Sequence, residues 1–393
     1  MPPSFLLDLS HTSHTRARTG VQRVARSVAA ALGGSATPIT YDPYRESWRP
    51  LDGWERDNLA AAAPARKRGA RWPLGARLRG TVARLAGRTA ASFPREAGLI
   101  VPEIFSPAVA GALPALFARV GGPRVAIFHD AIALQLPDLT PPKSVARFPA
   151  YLAELLAFDG VAAVSEDSRR VLLDHWDRVG APARPPVVAI PLAVDPPAPA
   201  SSAPPASGAG APPVVLCVAS IEGRKNHRAL LEACDLLWAG GARFELRLIG
   251  LAQRETGGAA LARIDALRRA GRPIRYDGPV DDATLAAAYR ECAFTVYPSL
   301  LEGFGLPVLE SLSYGRPCVC AGHGALGEAA RGGGCLTLEA VDSERLRSAI
   351  GGLLGDGALL GRLAAAARER RFKTWDDYVR ELVDWSGTLA RKS

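Results

Sequence analysis

Short apolar runs rich in β-branched residues alternate along the chain with longer Ala/Leu/Arg stretches whose apolar positions recur at helical spacing. That is the pattern of an α/β architecture with parallel strands. The runs predict strands over Ser4–Leu9, Arg124–Phe128, Gly160–Val164, Val187–Pro191, Val214–Val218, Phe244–Ile249, Ile274–Tyr276, Phe294–Tyr297 and Cys318–Cys320, with helices between most of them. From Pro196 to Pro213 the pattern stops. Only Pro, Ala, Ser and Gly occur there, seven of the eighteen being Pro, which makes a semi-extended linker that cannot build a core. The chain therefore reads as a domain over 1–195, a linker over 196–213 and a domain over 214–371, each domain restarting on a strand. Near the end, Trp375, Tyr378, Val379, Leu382 and Trp385 form the apolar stripe of an amphipathic helix, which one of the two domains must cover.

The composition fits two folded domains: 393 residues, 48% apolar and 22% charged, exclude disorder throughout. No apolar run approaches the ~18–20 residues of a spanning helix, and Met1-Pro-Pro-Ser lacks the basic start and apolar core of a secretory signal, so the expected location is cytoplasmic. Lys and Arg number 48 against 39 Asp and Glu, a net +9 that points to an anionic partner. This excess is confined to one stretch. Between Asp57 and Glu96 no acidic residue occurs, while Arg66, Lys67, Arg68, Arg71, Arg77, Arg79, Arg84, Arg88 and Arg95 supply nine positive charges. Trp72, Leu74, Leu78, Val82 and Leu85 recur among them at spacings that give a helix one apolar and one basic face. Such a helix either lies on an anionic membrane or is a solvated basic excursion. All six cysteines lie in the second half without a C-x-x-C pair, mostly in apolar runs, and are expected to be reduced core thiols rather than zinc ligands.

Ligands of open parallel sheets bind beyond the carboxyl ends of the strands, so the segments just after the strands carry the chemistry. After Val214–Val218 comes Ala219-Ser-Ile-Glu-Gly-Arg-Lys-Asn-His227, a polar turn with adjacent cations. After Ile274–Tyr276 comes Asp277-Gly-Pro-Val-Asp-Asp282. After Phe294–Tyr297 comes Pro298-Ser-Leu-Leu-Glu-Gly-Phe-Gly-Leu-Pro-Val-Leu-Glu310. In this last segment Gly303 and Gly305 allow close backbone approach and Pro307 suits the first turn of a helix, so amides near Leu306 can meet a phosphate together with Arg224 and Lys225. Glu302 on the loop and Glu310 on the helix can flank such a ligand, as an acid/base pair or as acceptors for sugar and ribose hydroxyls.

The Glu302-x7-Glu310 spacing with its inner Gly-Phe-Gly-Leu-Pro, the Glu222-Gly-Arg-Lys-Asn-His turn and Gly278-Pro-Val-Asp-Asp resemble glycosyltransferase family 4 in order and spacing over roughly 110 residues. The resemblance implies a GT-B fold, two Rossmann-like domains facing across a cleft, with residues 372–393 crossing back to the first. It implies a retaining hexosyltransferase in which Lys225 binds the donor diphosphate, Glu310 the ribose and Glu302 the hydroxyls of the transferred sugar. Amides of Gly303 and Phe304 to Leu306 would meet sugar or phosphate, and the backbone around Val280 would read the base. Many members carry an arginine where this chain has Ser220, a missing cation for which Arg224 is the substitute unless it is only a solvated helix-start charge.

In the first domain, His129 in Phe128-His129-Asp130 is similar to the family histidine beside the transferred sugar; the alternative is a satisfied structural histidine. Arg18-Thr-Gly-Val-Gln-Arg23, offering the Gly20 amide and Arg23, is similar to the Thr-Gly-Ile-Gln-Arg turn of bacterial transferases that build surface polysaccharides, often from mannose donors. His11 and His14 lack a third metal ligand and read as part of a mobile loop. Asp130, Ser165 and Glu166 are acceptor-side candidates, although helix capping accounts for Ser165 and Glu166 equally well. No D-x-D pair occurs, so no metal or other cofactor is expected, and cations with helix-start amides would stabilise the leaving diphosphate. The expected partners are a nucleotide sugar, GDP-mannose ahead of UDP- or dTDP-sugars, and a glycan or lipid-linked acceptor, with Arg66–Arg95 on an anionic inner membrane and no nucleic acid. The competing readings are a GT-B phosphorylase or epimerase and, outside enzymes, a nucleic-acid- or membrane-binding module.

Overall fold

The first seven-stranded sheet takes the order β3-β2-β1-β4-β5-β6-β7, with strands Phe5–Asp8 (β1), Ala36–Asp42 (β2), Ser47–Pro50 (β3), Gly98–Val101 (β4), Arg124–Phe128 (β5), Gly160–Ala163 (β6) and Val187–Ala189 (β7). All neighbours are parallel except the β2–β3 hairpin. The second sheet is wholly parallel in the order β10-β9-β8-β11-β12-β13, built from Val214–Val218 (β8), Glu245–Ile249 (β9), Ile274–Tyr276 (β10), Phe294–Tyr297 (β11), Cys318–Ala321 (β12) and Cys335–Leu338 (β13). The structure is a computed structural model describing residues 5–61, 69, 71–88, 93, 97–194, 197 and 212–391. Central strands such as β1, β4 and β5 are buried at every position, as expected of parallel strands covered on both faces.

Two compact units result. One comprises residues 1–130, 147–192 and 375–393, the other 131–146 and 193–374. The sequence pattern assigned 131–146 to the first domain; instead this segment packs with the second, where Leu139 lies against Gly223. Most of the predicted linker, residues 196 and 198–211, lies outside the described residues. The C-terminal helix, Trp375–Ser386, belongs to the first unit. Its buried Trp375, Tyr378, Val379 and Leu382 answer the question of what covers the stripe, with helix Gly20–Leu32 beside it and the Trp385 ring against Gly160.

Every strand predicted from the pattern is present, and four more are added. β2 was hidden by Pro38 and interleaved threonines, β4 by its four-residue length, and β3 and β13 by being edge strands, the former ending in a proline that only an edge tolerates. The mobile-loop reading of His11–His14 is overturned. Thr12–His14 is a buried 3-10 turn, and the His14 ring is stacked on Trp54 at 5.3 Å, packed against Trp72 at 4.2 Å and bonded to Glu55 Oε1 at 2.7 Å. Glu55 is held ionised despite its burial by His14 and by both arms of the Arg49 guanidinium, at 2.7 and 2.9 Å. The six cysteines are free thiols, five of them buried.

Candidate active site

In the second sheet the strand order reverses between β8 and β11. Brought into local numbering, the order is the doubly wound 3-2-1-4-5-6, and the crevice at the carboxyl ends of those two strands is where such sheets bind ligands. Two of the three segments picked out by sequence emerge there. The turn after β8 presents Arg224 and Lys225 from the short 3-10 helix Gly223–Lys225, and the loop after β11 presents Glu302.

These three side chains meet. Lys225 Nζ forms a buried ion pair with Glu302 Oε1 and donates to the Tyr297 hydroxyl at 2.6 Å, lying 4.9 Å from that ring's centroid. Arg224 reaches Glu302 Oε2 with Nη1 at 2.9 Å and Glu222 with Nη2 at 2.9 Å. Tyr297 Oη donates to Glu302 Oε1 at 2.9 Å. Burial alone would push the Glu302 carboxyl up, but Arg224 and Lys225 outweigh it and hold it at about 2. Burial and the adjacent Arg224 push the Lys225 ammonium down, against the pull of Glu302 and Glu222. Tyr297 is raised well above its usual value by burial and by Glu302, so it stays a protonated donor. The result is two cations held on the carboxylates of Glu302 and Glu222, an arrangement that can exchange these partners for a ligand bearing both phosphate and hydroxyl groups.

The following helix, Leu306–Ser313, starts at Gly305, whose φ of +108° favours glycine and whose Cα faces Leu326 so closely that a Cβ would stand 2.8 Å from it. Pro307 occupies the first turn as expected. Glu310, one turn on, is buried and accepts from the Tyr289 hydroxyl at 2.9 Å. Val280 packs against the buried cluster of Leu216, Ile249, Ala288, Tyr289 and Cys292. Ser220 sits at a close crossing of chains: a Cβ on Gly250 would lie 2.0 Å from the Ala219 carbonyl oxygen and 3.0 Å from Ser220 N.

In the first unit the reversal falls between β1 and β4, and its carboxyl-end residues form a separate polar group. His129 follows β5, is buried, and sets Nε2 2.8 Å from the Pro102 carbonyl oxygen; burial pushes its pKa down, so the neutral ring donates there and leaves Nδ1 as an acceptor. Asp130 follows, half-buried. Ser165 caps helix Glu166–Arg178 by accepting from Ser168 N at 3.0 Å, and Glu166, in the first turn, pairs with Arg169 at 2.6 Å. Gly20 is the first residue of its helix, with open space where a Cβ would go, and Arg23 is half-buried one turn further along.

Sequence reasoning missed Tyr297 and Tyr289, the hydroxyls that fasten the two glutamates, and the Asp8/Glu103 pair. Glu103 accepts the amides of His11 and Thr12 at 3.0 and 2.8 Å, while Asp8, under burial and the Glu103 charge, rises to about 7. An acidic residue closing an apolar strand, as in Phe5-Leu-Leu-Asp8, was the available signal.

Comparison with known proteins places this geometry. Residues 212–356, which hold β8 through β13 and the whole Arg224/Lys225/Glu302/Glu310 set, match the family described as Glycosyl transferases group 1. The O-antigen chain mannosyltransferase B of Escherichia coli is 40% identical over 114 residues, 29% of this chain and 29% of that protein. The serotype-specific mannosyltransferase WbdA of Escherichia coli is 25% identical over 350 residues, 80% of this chain but 38% of its own length. The chain thus spans well under half of either relative. Among solved structures, sucrose-phosphate synthase from Thermosynechococcus elongatus superposes with a TM-score of 0.68 at 17% identity, covering 98% of each chain. Anabaena HepE in complex with UDP and glucose superposes with a TM-score of 0.69 at 17% identity, covering 99% of this chain and 100% of that one. The fold is of the GT-B class, two parallel-sheet α/β domains, and the chain resembles glycosyltransferases of the O-antigen mannosyltransferase kind.

Proposed function

We propose that this chain is a retaining hexosyltransferase that moves mannose from GDP-mannose to a glycan or lipid-linked acceptor in cell-surface polysaccharide assembly, in the cytoplasm and without a metal. The observation that carries the reading is the convergence of Arg224, Lys225 and Glu302 at the strand-order reversal, beside the amino end of helix Leu306–Ser313. In this reading Arg224 and Lys225 turn from Glu302 to the donor diphosphate and stabilise the charge that develops as the glycosidic bond to phosphate breaks. Arg224 takes the place of the arginine that Ser220 lacks. Glu302 accepts hydroxyls of the sugar and Glu310 those of the ribose. The acceptor hydroxyl attacks the anomeric carbon from the side the diphosphate leaves, and that phosphate takes its proton.

The mannosyltransferase relatives support mannose, and the Thr-Gly-Val-Gln-Arg turn supports a guanosine donor. A thermal-shift panel of GDP, UDP, ADP and dTDP, followed by transfer assays with the matching nucleotide sugars, tests it. A ligand at a hundredfold excess over its Kd adds about 2.7 kcal/mol. GDP is expected to stabilise most; a larger shift with UDP or dTDP moves the donor to those sugars. Absence of any shift, or sugar release that needs inorganic phosphate and no nucleotide, overturns the transferase reading.

A further inference from the structure

The basic segment takes no part in the site just described. Its helix, Leu74–Leu85, is fastened to the first unit by small residues: Ala76 and Gly80 are buried, and a Cβ on Gly80 would stand 2.8 Å from Tyr44 Cβ. Trp72, which the sequence pattern grouped with the leucines on one apolar face, parts from them; it is half-buried against His14, Trp54 and Tyr44 and anchors the start of the helix. On the other side Leu74, Leu78, Val82 and Leu85 are 75, 67, 63 and 80% exposed. At about 100° per residue they fall within an arc of about 80°, turned about 180° from Ala76 and Gly80. The other exposed large apolar side chains among the described residues, Ile104, Val179 and Leu236, are scattered singly.

Arginines occupy the waist between the two faces, Arg77 and Arg84 on one side and Arg79 on the other. Arg79 is 3.6 Å from Asp52 and Arg84 pairs with Glu46, whereas Arg71, Arg77 and Arg88 are exposed and have no acidic partner among the described residues. Large apolar groups pointing away from the protein, with cations at the height of the waist, match the layered chemistry of an anionic lipid surface: acyl boundary below, phosphate headgroups above. A nucleic acid would satisfy the arginines and leave four apolar side chains without a partner. A second copy of the chain would bury the leucines but bring two sets of arginines together. We propose that helix Leu74–Leu85 docks the protein in the plane of an anionic membrane, with Leu74, Leu78, Val82 and Leu85 in the acyl boundary and Arg71, Arg77 and Arg88 at the headgroup phosphates. This rests on the helix alone and is independent of the sugar-transfer reading.

Cosedimentation of the full chain with vesicles of phosphatidylcholine alone and with 30% phosphatidylglycerol tests it, roughly a physiological anionic fraction. Binding is expected to the anionic vesicles and to weaken as salt rises. Leu78→Glu/Val82→Glu is expected to lower partitioning at least about tenfold, and Arg77→Gln/Arg88→Gln to erase the preference for anionic lipid. Leu78 and Val82 lie on the solvent face and Arg88 is exposed, while Arg77, though exposed, also donates to the Trp72 carbonyl oxygen at 3.1 Å and lies 5.7 Å from the Tyr44 ring centroid; circular dichroism with an unchanged melting temperature shows that each variant folds. Three results overturn the proposal: no binding to anionic vesicles, binding that Leu78→Glu/Val82→Glu leaves intact, or a wild-type dimer in light scattering that the same variant turns to monomer while vesicle binding is absent. Tight, salt-steep binding to duplex or single-stranded nucleic acid without vesicle binding assigns the helix to that partner instead.

Discussion

Replacing Glu302 by Gln keeps the side chain's shape and removes the charge that neutralises Lys225 and Arg224. In the folded protein this carboxyl sits at about 2 instead of its usual 4.5. That displacement corresponds to roughly 3 kcal/mol of stability at neutral pH. Roughly 3 kcal/mol is a ceiling, because Lys225, already pushed down by burial and by Arg224, relieves part of the loss by giving up its proton. The sign follows from the depressed value: the contribution is complete above about 4.5 and is lost as the pH falls toward 2. Wild type should therefore exceed Glu302→Gln in stability at pH 7, and the gap should close on acidification. Native-state hydrogen exchange at the β8 and β11 amides reads the unit that carries the pair. A gap under about 0.5 kcal/mol at pH 7, or one that persists unchanged at pH 3, refutes the electrostatic account. The same variant is expected to bind free nucleoside diphosphate as tightly as wild type or severalfold tighter, since no internal carboxylate has to be displaced, while sugar transfer falls at least about tenfold.

Lys225→Ala and Glu310→Ala should each lower turnover at least about tenfold, a loss of ~1.4 kcal/mol; undiminished rates in both at low and saturating donor would remove these residues from the site. Gly305→Ala forces an alanine to φ +108° with its Cβ 2.8 Å from the Leu326 side chain, and is expected to cost roughly 1–3 kcal/mol in urea unfolding along with weaker nucleotide binding. Arg49→Met strands the buried carboxylates of Asp42 and Glu55, which the guanidinium holds at 2.9 and 2.7 Å, so roughly 3–5 kcal/mol of stability should be lost with little change in nucleotide affinity.

What the sequence disclosed was what local chemistry determines. Parallel strands buried on both faces must be continuously apolar, so β5, β8 and β11 announced themselves, and a ligand loop must depart from that pattern, so Arg224, Lys225 and Glu302 stood out just after strands. The four-residue edge strands β3 (Ser-Trp-Arg-Pro) and β13 (Cys-Leu-Thr-Leu) are too short and too mixed in polarity to carry such a signature. Tyr289 and Tyr297 read as core aromatics because their rings are buried; only the third dimension reveals that their hydroxyls reach Glu310 and Glu302. Likewise, nothing local to His11–His14 foretells that Trp54 and Trp72, some forty to sixty residues away in sequence, close over His14.

The chain's charges are used in two opposed ways. Around β8 and β11 each cation has an internal anion: Arg224 holds Glu222 and Glu302, Lys225 holds Glu302. A bare phosphate entering there must separate these pairs and leaves Glu302 buried without its cations. A nucleotide sugar takes the cations with its diphosphate and offers Glu302 hydroxyl donors in exchange, so on the transferase reading both partners of each broken pair are satisfied again. Selectivity then comes from the requirement that one ligand carry both groups, and net charge contributes little to it. Around helix Leu74–Leu85 part of the charge is left over: Arg79 and Arg84 pair with Asp52 and Glu46, whereas Arg71, Arg77 and Arg88 are exposed near the exposed leucines with no acidic partner among the described residues. A surface of that kind cannot select one small molecule, but it answers to any interface that combines negative charge with an apolar layer. The +9 excess is carried by the Arg66–Arg95 stretch of the sequence, whereas the chemistry of the site depends on charges that already cancel.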